Sequence, residues 1–145
     1  MSKAEAAEIG HKEKDRALHC QVITPEKTLI DEVVEFVALP LSDGELGVLP
    51  GRSPLIGRLG YGELRTRSTS STHHYYIDGG FAQVRDDFVT VLTNHAIPAA
   101  KIDEVAASKD LEIALARKAI TDPEIAEKDK EIARARARLR VAEHA

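Results

Sequence analysis

Cysteine is almost absent from this chain of 145 residues: Cys20 stands alone, which excludes an internal disulfide and any cysteine-based zinc cage. Long apolar runs are missing too. The longest, Phe36-Val37-Ala38-Leu39-Pro40-Leu41, falls far short of the ~20 residues a membrane-spanning helix needs. The first residues, MSKAEAAEIGHKEKDR, carry charges throughout and no apolar centre, so no signal peptide is expected there. Charge of one sign is not in excess: 20 basic against 24 acidic side chains leave a net charge of −4, which argues against nucleic acid as a partner. Enzyme motifs are equally scarce. There is no GxxxxGK[ST] phosphate loop, no GxSxG and no HExxH, and no catalytic residue is expected. The length suits one domain, with or without a small appendage.

What is present changes character twice. Residues 1–17 hold four basic and four acidic groups and read as a disordered polar extension. Residues 18–99 hold six basic and ten acidic groups and read as strands. Leu18, Cys20 and Val22 alternate with polar neighbours, and Val33–Leu39 is β-branched and aromatic up to Pro40. Tyr61–Arg67, His74–Ile77, Phe81–Arg85 and Phe88–Leu92 follow, separated by punctuators such as Asp78-Gly79-Gly80. Short strands with no helix between them predict an antiparallel sandwich or barrel of eight or so strands. Val33, Phe36, Val37, Phe81, Val84, Val89 and Val91 are expected to supply most of its core.

Residues 100–145 hold ten charges of each sign. Ile102, Val105, Ala106, Ile113, Ala116 and Ile120, widened by Leu111 and Leu115, trace an apolar helical face. Thr121-Asp122-Pro123 breaks the run, with Asp122 as N-cap and Pro123 opening a second helix. Ile125, Ile132 and Leu139 recur every seven residues along it. The two helices form a hairpin with too little apolar surface to stand alone, so it lies on something else. Arg134, Arg136, Arg138 and Arg140, two apart, spread around the helix axis and give it a basic end suited to an acidic protein surface. No aromatic residues interleave them, as nucleic-acid stacking would need. His73 and His74, the only histidine cluster, point to opposite faces of a strand and do not converge on one ion without help; no metal site is expected.

The segment Asp43–Leu55 mixes three glycines and two prolines with apolar residues, which reads either as a shaped loop that presents backbone to a partner or as a structural corner of the sandwich, with Glu45, Arg52 and Asp43 as its full charges. DGELGVLPGRSPL, then GYGELRTR, then YIDGGFAQVRDDFVTVLTNHA resemble the epsilon subunit of bacterial rotary (F-type) ATP synthases, whose mitochondrial equivalent is called delta. The likeness covers residues 18–142. It implies a β-sandwich of about ten strands followed by a helical hairpin, at the foot of the central stalk. It implies as partners the gamma subunit, the membrane-embedded ring of c subunits and the catalytic alpha and beta subunits. Contact with the membrane, on the cytoplasmic face of a bacterial inner membrane, is then only through the complex, and the isolated chain is a monomer.

On the same basis Glu45, Leu46, Gly47 and Arg52 are the loop that meets the c-ring and gamma, and the four arginines are the contacts through which an extended hairpin inhibits ATP hydrolysis. Two departures stand out. Arg52 replaces a histidine common among relatives. The nucleotide motif that some relatives carry in the hairpin is degenerate: Ile102-Asp103-Glu104-Val105-Ala106-Ala107 has Ala106 where an arginine is expected. Binding of ATP is therefore expected to be weak or absent, with no other cofactor. A reading of a different class is a free-standing β-sandwich binding module with a dimerising coiled-coil tail.

Overall fold

The computed structural model describes residues 17–145, so the expected polar extension lies, except for Ala17, outside the described residues. Eight strands come first: β1 Leu18–Ile23, β2 Thr28–Val34, β3 Phe36–Leu41, β4 Gly44–Val48, β5 Leu55–Arg67, β6 Thr72–Arg85, β7 Phe88–Leu92 and β8 Ala96–Pro98. A single 3-10 turn, Ala99–Lys101, leads to helices α1 Glu104–Ala116 and α2 Asp122–Ala142.

The strands hydrogen-bond in the order β2-β1-β7-β6-β5-β3-β4, with β8 also on β6, and the sheet folds over on itself as a sandwich. The strands β5 and β6, 13 and 14 residues long, do the folding: each runs through both layers. Two long strands thus take the place of four shorter ones, and eight strands stand where about ten were expected. Asp78-Gly79-Gly80 does not end a strand but bends one. Gly80 has φ +108°, and a Cβ there would meet the Leu92 carbonyl oxygen at 1.9 Å, so only glycine fits the bend. One pairing departs from the antiparallel expectation: β1 runs parallel to β7, with Cys20 beside Val89 and Val22 beside Val91.

The inner faces meet in one core that includes Leu18, Cys20, Val22, Val37, Leu39, Leu64, Ile77, Val84, Val89 and Val91, all essentially inaccessible. Of the expected core, Val37, Val84, Val89 and Val91 are there. Phe36 is half-buried, while Val33 and Phe81 are 63% and 52% exposed. The period of two decides this: Phe81 and Val84 lie an odd number of residues apart on one strand and cannot share a face, and Val34 excludes Val33 in the same way.

The Asp43–Leu55 segment is only partly a loop. Gly44–Val48 forms β4, pairing with β3 from Leu41↔Gly44 to Val37↔Val48. Pro40, buried within β3, does not end that strand.

The helices also differ from expectation. Asp103 caps α1, accepting from the Ala106 N–H at 3.0 Å, and α1 ends at Ala116. The residue capping α2 is Thr121, not Asp122: its hydroxyl accepts from Glu124 N–H at 3.4 Å. The buried residues of α1 are Ala107 and Ala114, with Leu111 half-buried, whereas Val105, Ile113 and Ile120 are exposed. Close approach of two helices through alanine leaves the larger side chains outside.

Candidate functional site

A second, smaller core joins α2 to the sandwich. Ala137 and Val141 pack with Tyr76 and Ala99, and Tyr61, Ile97 and Ile102 lie against them. Their neighbours on both elements complete a zipper. Along α2, Arg134, Ala137, Val141 and His144 follow a spacing of 3, 4 and 3 residues, one stripe of a helix. Along β6, Asp78, Tyr76 and His74 alternate onto one face. The two rows meet in opposite chain directions.

At one end Arg134 Nε donates to Asp78 Oδ1 at 2.9 Å, and its guanidinium stands 5.1 Å from the centre of the Tyr61 ring. Tyr76 donates its hydroxyl to the same Asp78 oxygen at 3.3 Å. Burial, the neighbouring Asp78 charge and this hydrogen bond together push the Tyr76 phenol well above its ordinary range. At the other end Glu63, diagonal to His74 on the paired strand β5, hydrogen-bonds His74 Nδ1 at 3.0 Å and His144 Nδ1 with its second oxygen. Partial burial pushes the Glu63 carboxyl up, but the two histidine hydrogen bonds and charges outweigh it and hold the carboxyl below its ordinary value.

The arginine cluster therefore divides by helical geometry. Arg134 faces the sandwich. Arg138 turns to α1, where Nη2 donates to Asp110 Oδ2 at 3.2 Å, and its Nε is buried without a partner among the described residues. Arg136 and Arg140 are exposed. A second link between the helices, Arg117 to Glu131 at 2.6 Å, lies towards the hairpin turn.

The nucleotide-like stretch is largely employed by local structure: Ile102 packs into the small core, Asp103 caps α1 and Ala107 is buried, while Glu104, Val105 and Ala106 are exposed.

The loop residues do not share one surface. On β4, Glu45 and Gly47 point outward and Leu46 packs onto the main core. Glu45 accepts from Arg65 Nη2 at 3.3 Å, and Gly47 leaves just enough room for the Phe36 ring. Arg52 lies beyond, in the exposed turn after β4, where Gly51 N–H donates to Asp87 Oδ1 at 2.6 Å. That bond ties the turn to the β6–β7 hairpin.

Sequence reasoning missed Glu63, Tyr76, Asp78 and His144. The signal was available in the two matching periods, 3-4-3 on the helix and two on the strand, but only once the elements are known to face each other. It also missed an exposed apolar patch beyond the Gly79-Gly80 bend of β6. Phe81 lies directly across from Leu92, and Ile56 sits diagonally on β5; these side chains are 52%, 51% and 76% exposed.

A sandwich with a docked helical hairpin and an exposed apolar patch presents a surface suited to a protein partner. A family model described as "ATP synthase, Delta/Epsilon chain, beta-sandwich domain" matches residues 17–99. An ATP synthase epsilon chain from Rhodopirellula baltica is 50% identical over 124 residues, 86% of this chain and 97% of that one. The fold resembles a chain in the Euglena gracilis mitochondrial ATP synthase OSCP/F1/c-ring structure, with TM-score 0.77 and 24% identity over 84% of this chain and 79% of that one. A chain of the Tetrahymena thermophila mitochondrial ATP synthase central stalk and c-ring matches with TM-score 0.69 and 13% identity, over 86% of this chain and 96% of that one.

The chain belongs to the ATP synthase delta/epsilon family, as an epsilon-type chain and not a catalytic subunit.

Proposed function

We propose that this chain is a rotor subunit that links the gamma stalk to the c-ring, so that ion-driven rotation reaches the catalytic head as torque. The observation that carries this reading is the uncovered apolar face around Ile56, Phe81 and Leu92 in a member of a stalk family. Such a patch on a soluble sheet is a place for a permanent partner. The gamma subunit is assigned to it, and the turn holding Arg52 and the outer edge of β4 at Glu45 are assigned to the ring. Among the described residues no helix is long and apolar enough to cross a membrane. Attachment to the cytoplasmic face of a bacterial inner membrane is proposed to run through those partners.

The hairpin is proposed to brake ATP hydrolysis. Zipped to the sandwich it permits turnover; released and extended along gamma, its basic end reaches acidic surface on the catalytic subunits. Support comes from how little holds it: one small core to which α2 contributes only Ala137 and Val141, and ion pairs at either end. A modest free-energy change is enough to move such an element between two states.

The test is Arg52→Glu in the assembled complex. Charge reversal at an interface costs several kcal/mol, so ion pumping per ATP hydrolysed by inverted vesicles should fall with the subunit still incorporated. Unchanged pumping would remove this turn from the interface.

A further inference from the structure

We propose that Glu63, His74 and His144 form a binding site for one divalent transition-metal ion of the zinc class, which clasps the end of α2 to the sandwich. Three ligand atoms converge there, the two Nδ1 atoms and a Glu63 carboxylate oxygen, all within 4.8 Å of one another. A tetrahedral zinc ion, with bonds of ~2.0–2.2 Å, needs its ligand atoms roughly 3.5 Å apart. The Glu63 oxygens already lie at hydrogen-bond distance from both rings, so an ion is seated by shifts of about an ångström, and His144, exposed on the last turn beyond α2, can make that movement.

The donor set chooses the ion. Two imidazoles and one carboxylate suit zinc and its neighbours, whereas magnesium and calcium prefer oxygen throughout. The fourth position, on the solvent side of His144, is left for water. Among the described residues Arg65 opposes a cation, with Nη1 3.8 Å from Glu63; its other partner, Glu45 at 3.3 Å, offers it a place to go. His73 takes no part, since it turns to Ser71 Oγ at 3.0 Å and stacks with Tyr75.

Two ligands belong to the sandwich and the third to the hairpin, so the complete site exists only when the hairpin is docked. Metal affinity and docking are then linked reciprocally: whatever the ion gains from the third ligand, the docked state gains from the ion. The site stands on the docked geometry alone and does not depend on whether the hairpin brakes hydrolysis.

The experiment uses the purified full chain titrated with zinc chloride near neutral pH in excess magnesium, followed by calorimetry and by NMR of the histidine rings. One ion per chain should bind, shifting the His74 and His144 rings together and leaving His19, His73 and His95 unmoved. His144→Ala, at an exposed position beyond the end of α2, should weaken binding by roughly tenfold or more, and Glu63→Gln likewise. Absence of binding below millimolar zinc, ring shifts at other histidines instead, or unchanged affinity in His144→Ala would each overturn the proposal.

Discussion

Arg134 on α2 and Asp78 on β6, 56 positions apart in the chain, are joined by a 2.9 Å charge-assisted hydrogen bond that fixes where the hairpin sits on the sandwich. Asp78 is largely buried and Arg134 only partly so, which makes the pair asymmetric. Arg134→Ala strands the carboxylate with only the Tyr76 hydroxyl. Because the arginine is about one-third exposed, the loss should be ~1–2 kcal/mol, between that of a surface pair and a fully buried one. Hydrogen exchange in α2 should accelerate about five- to thirtyfold while exchange in β1 and β7 stays unchanged. Equal acceleration in both would mean that hairpin and sandwich open as one unit.

The inner and outer positions on β6 and its neighbours lead to opposite mutational outcomes. Leu64→Ala, at a fully buried site, should cost ~2–5 kcal/mol by urea titration. Phe81→Ala, half exposed and flanked by Arg58 with its guanidinium 6.0 Å from the ring centre, should cost less than about 1 kcal/mol yet weaken assembly with gamma. A large stability loss at Phe81 with normal assembly would place the partner elsewhere.

Cys20, wholly buried between β2 and β7, reports on the integrity of the main core. Burial, with the Glu32 charge adding to it, pushes its thiol from 9.0 up to about 12. In the unfolded chain the thiol ionises from about pH 9, whereas in the folded chain it keeps its proton until about 12. The unfolded state therefore binds fewer protons in that window, and this group lowers stability as pH rises through it. At pH 8 the native chain should be inert to a disulfide reagent and should react fully in denaturant. Rapid modification of native protein would contradict the packing.

Nucleotide sensing should be poor. Ala106 offers no side-chain hydrogen bond, and Asp103 is engaged as the α1 cap. A charge-assisted hydrogen bond contributes ~1.5–3 kcal/mol, or about 10- to 100-fold in affinity. Calorimetry with Mg-ATP should show no micromolar binding, and Ala106→Arg should gain affinity; tight binding by the unmodified chain would refute this.

Much of the fold was legible because alternation and helical periods are local. The strands at Leu18–Val22 and Phe88–Leu92 and the helical break at Thr121–Pro123 needed nothing beyond their own neighbours. What stayed hidden depended on distant parts of the chain. Phe81 looks like core until Val84 claims the inner face, and Asp78-Gly79-Gly80 looks like a turn until the Leu92 carbonyl shows why the strand must bend there. Alanines give no amphipathic signal, so the docking stripe through Ala137 was masked by the larger side chains of Ile125, Ile132 and Leu139. The triad of Glu63, His74 and His144 spans 81 residues and only tertiary packing assembles it.

The brake is the central claim, and it is tested most directly by ATP hydrolysis in the reconstituted complex carrying Arg136→Glu and Arg140→Glu together. Both side chains are exposed when the hairpin is docked, so the substitutions leave the zipper untouched and reverse charge only at the end proposed to meet the catalytic subunits. The account predicts faster hydrolysis than with the unmodified chain at equal incorporation. An unchanged rate, with the double variant assembled normally, would contradict it.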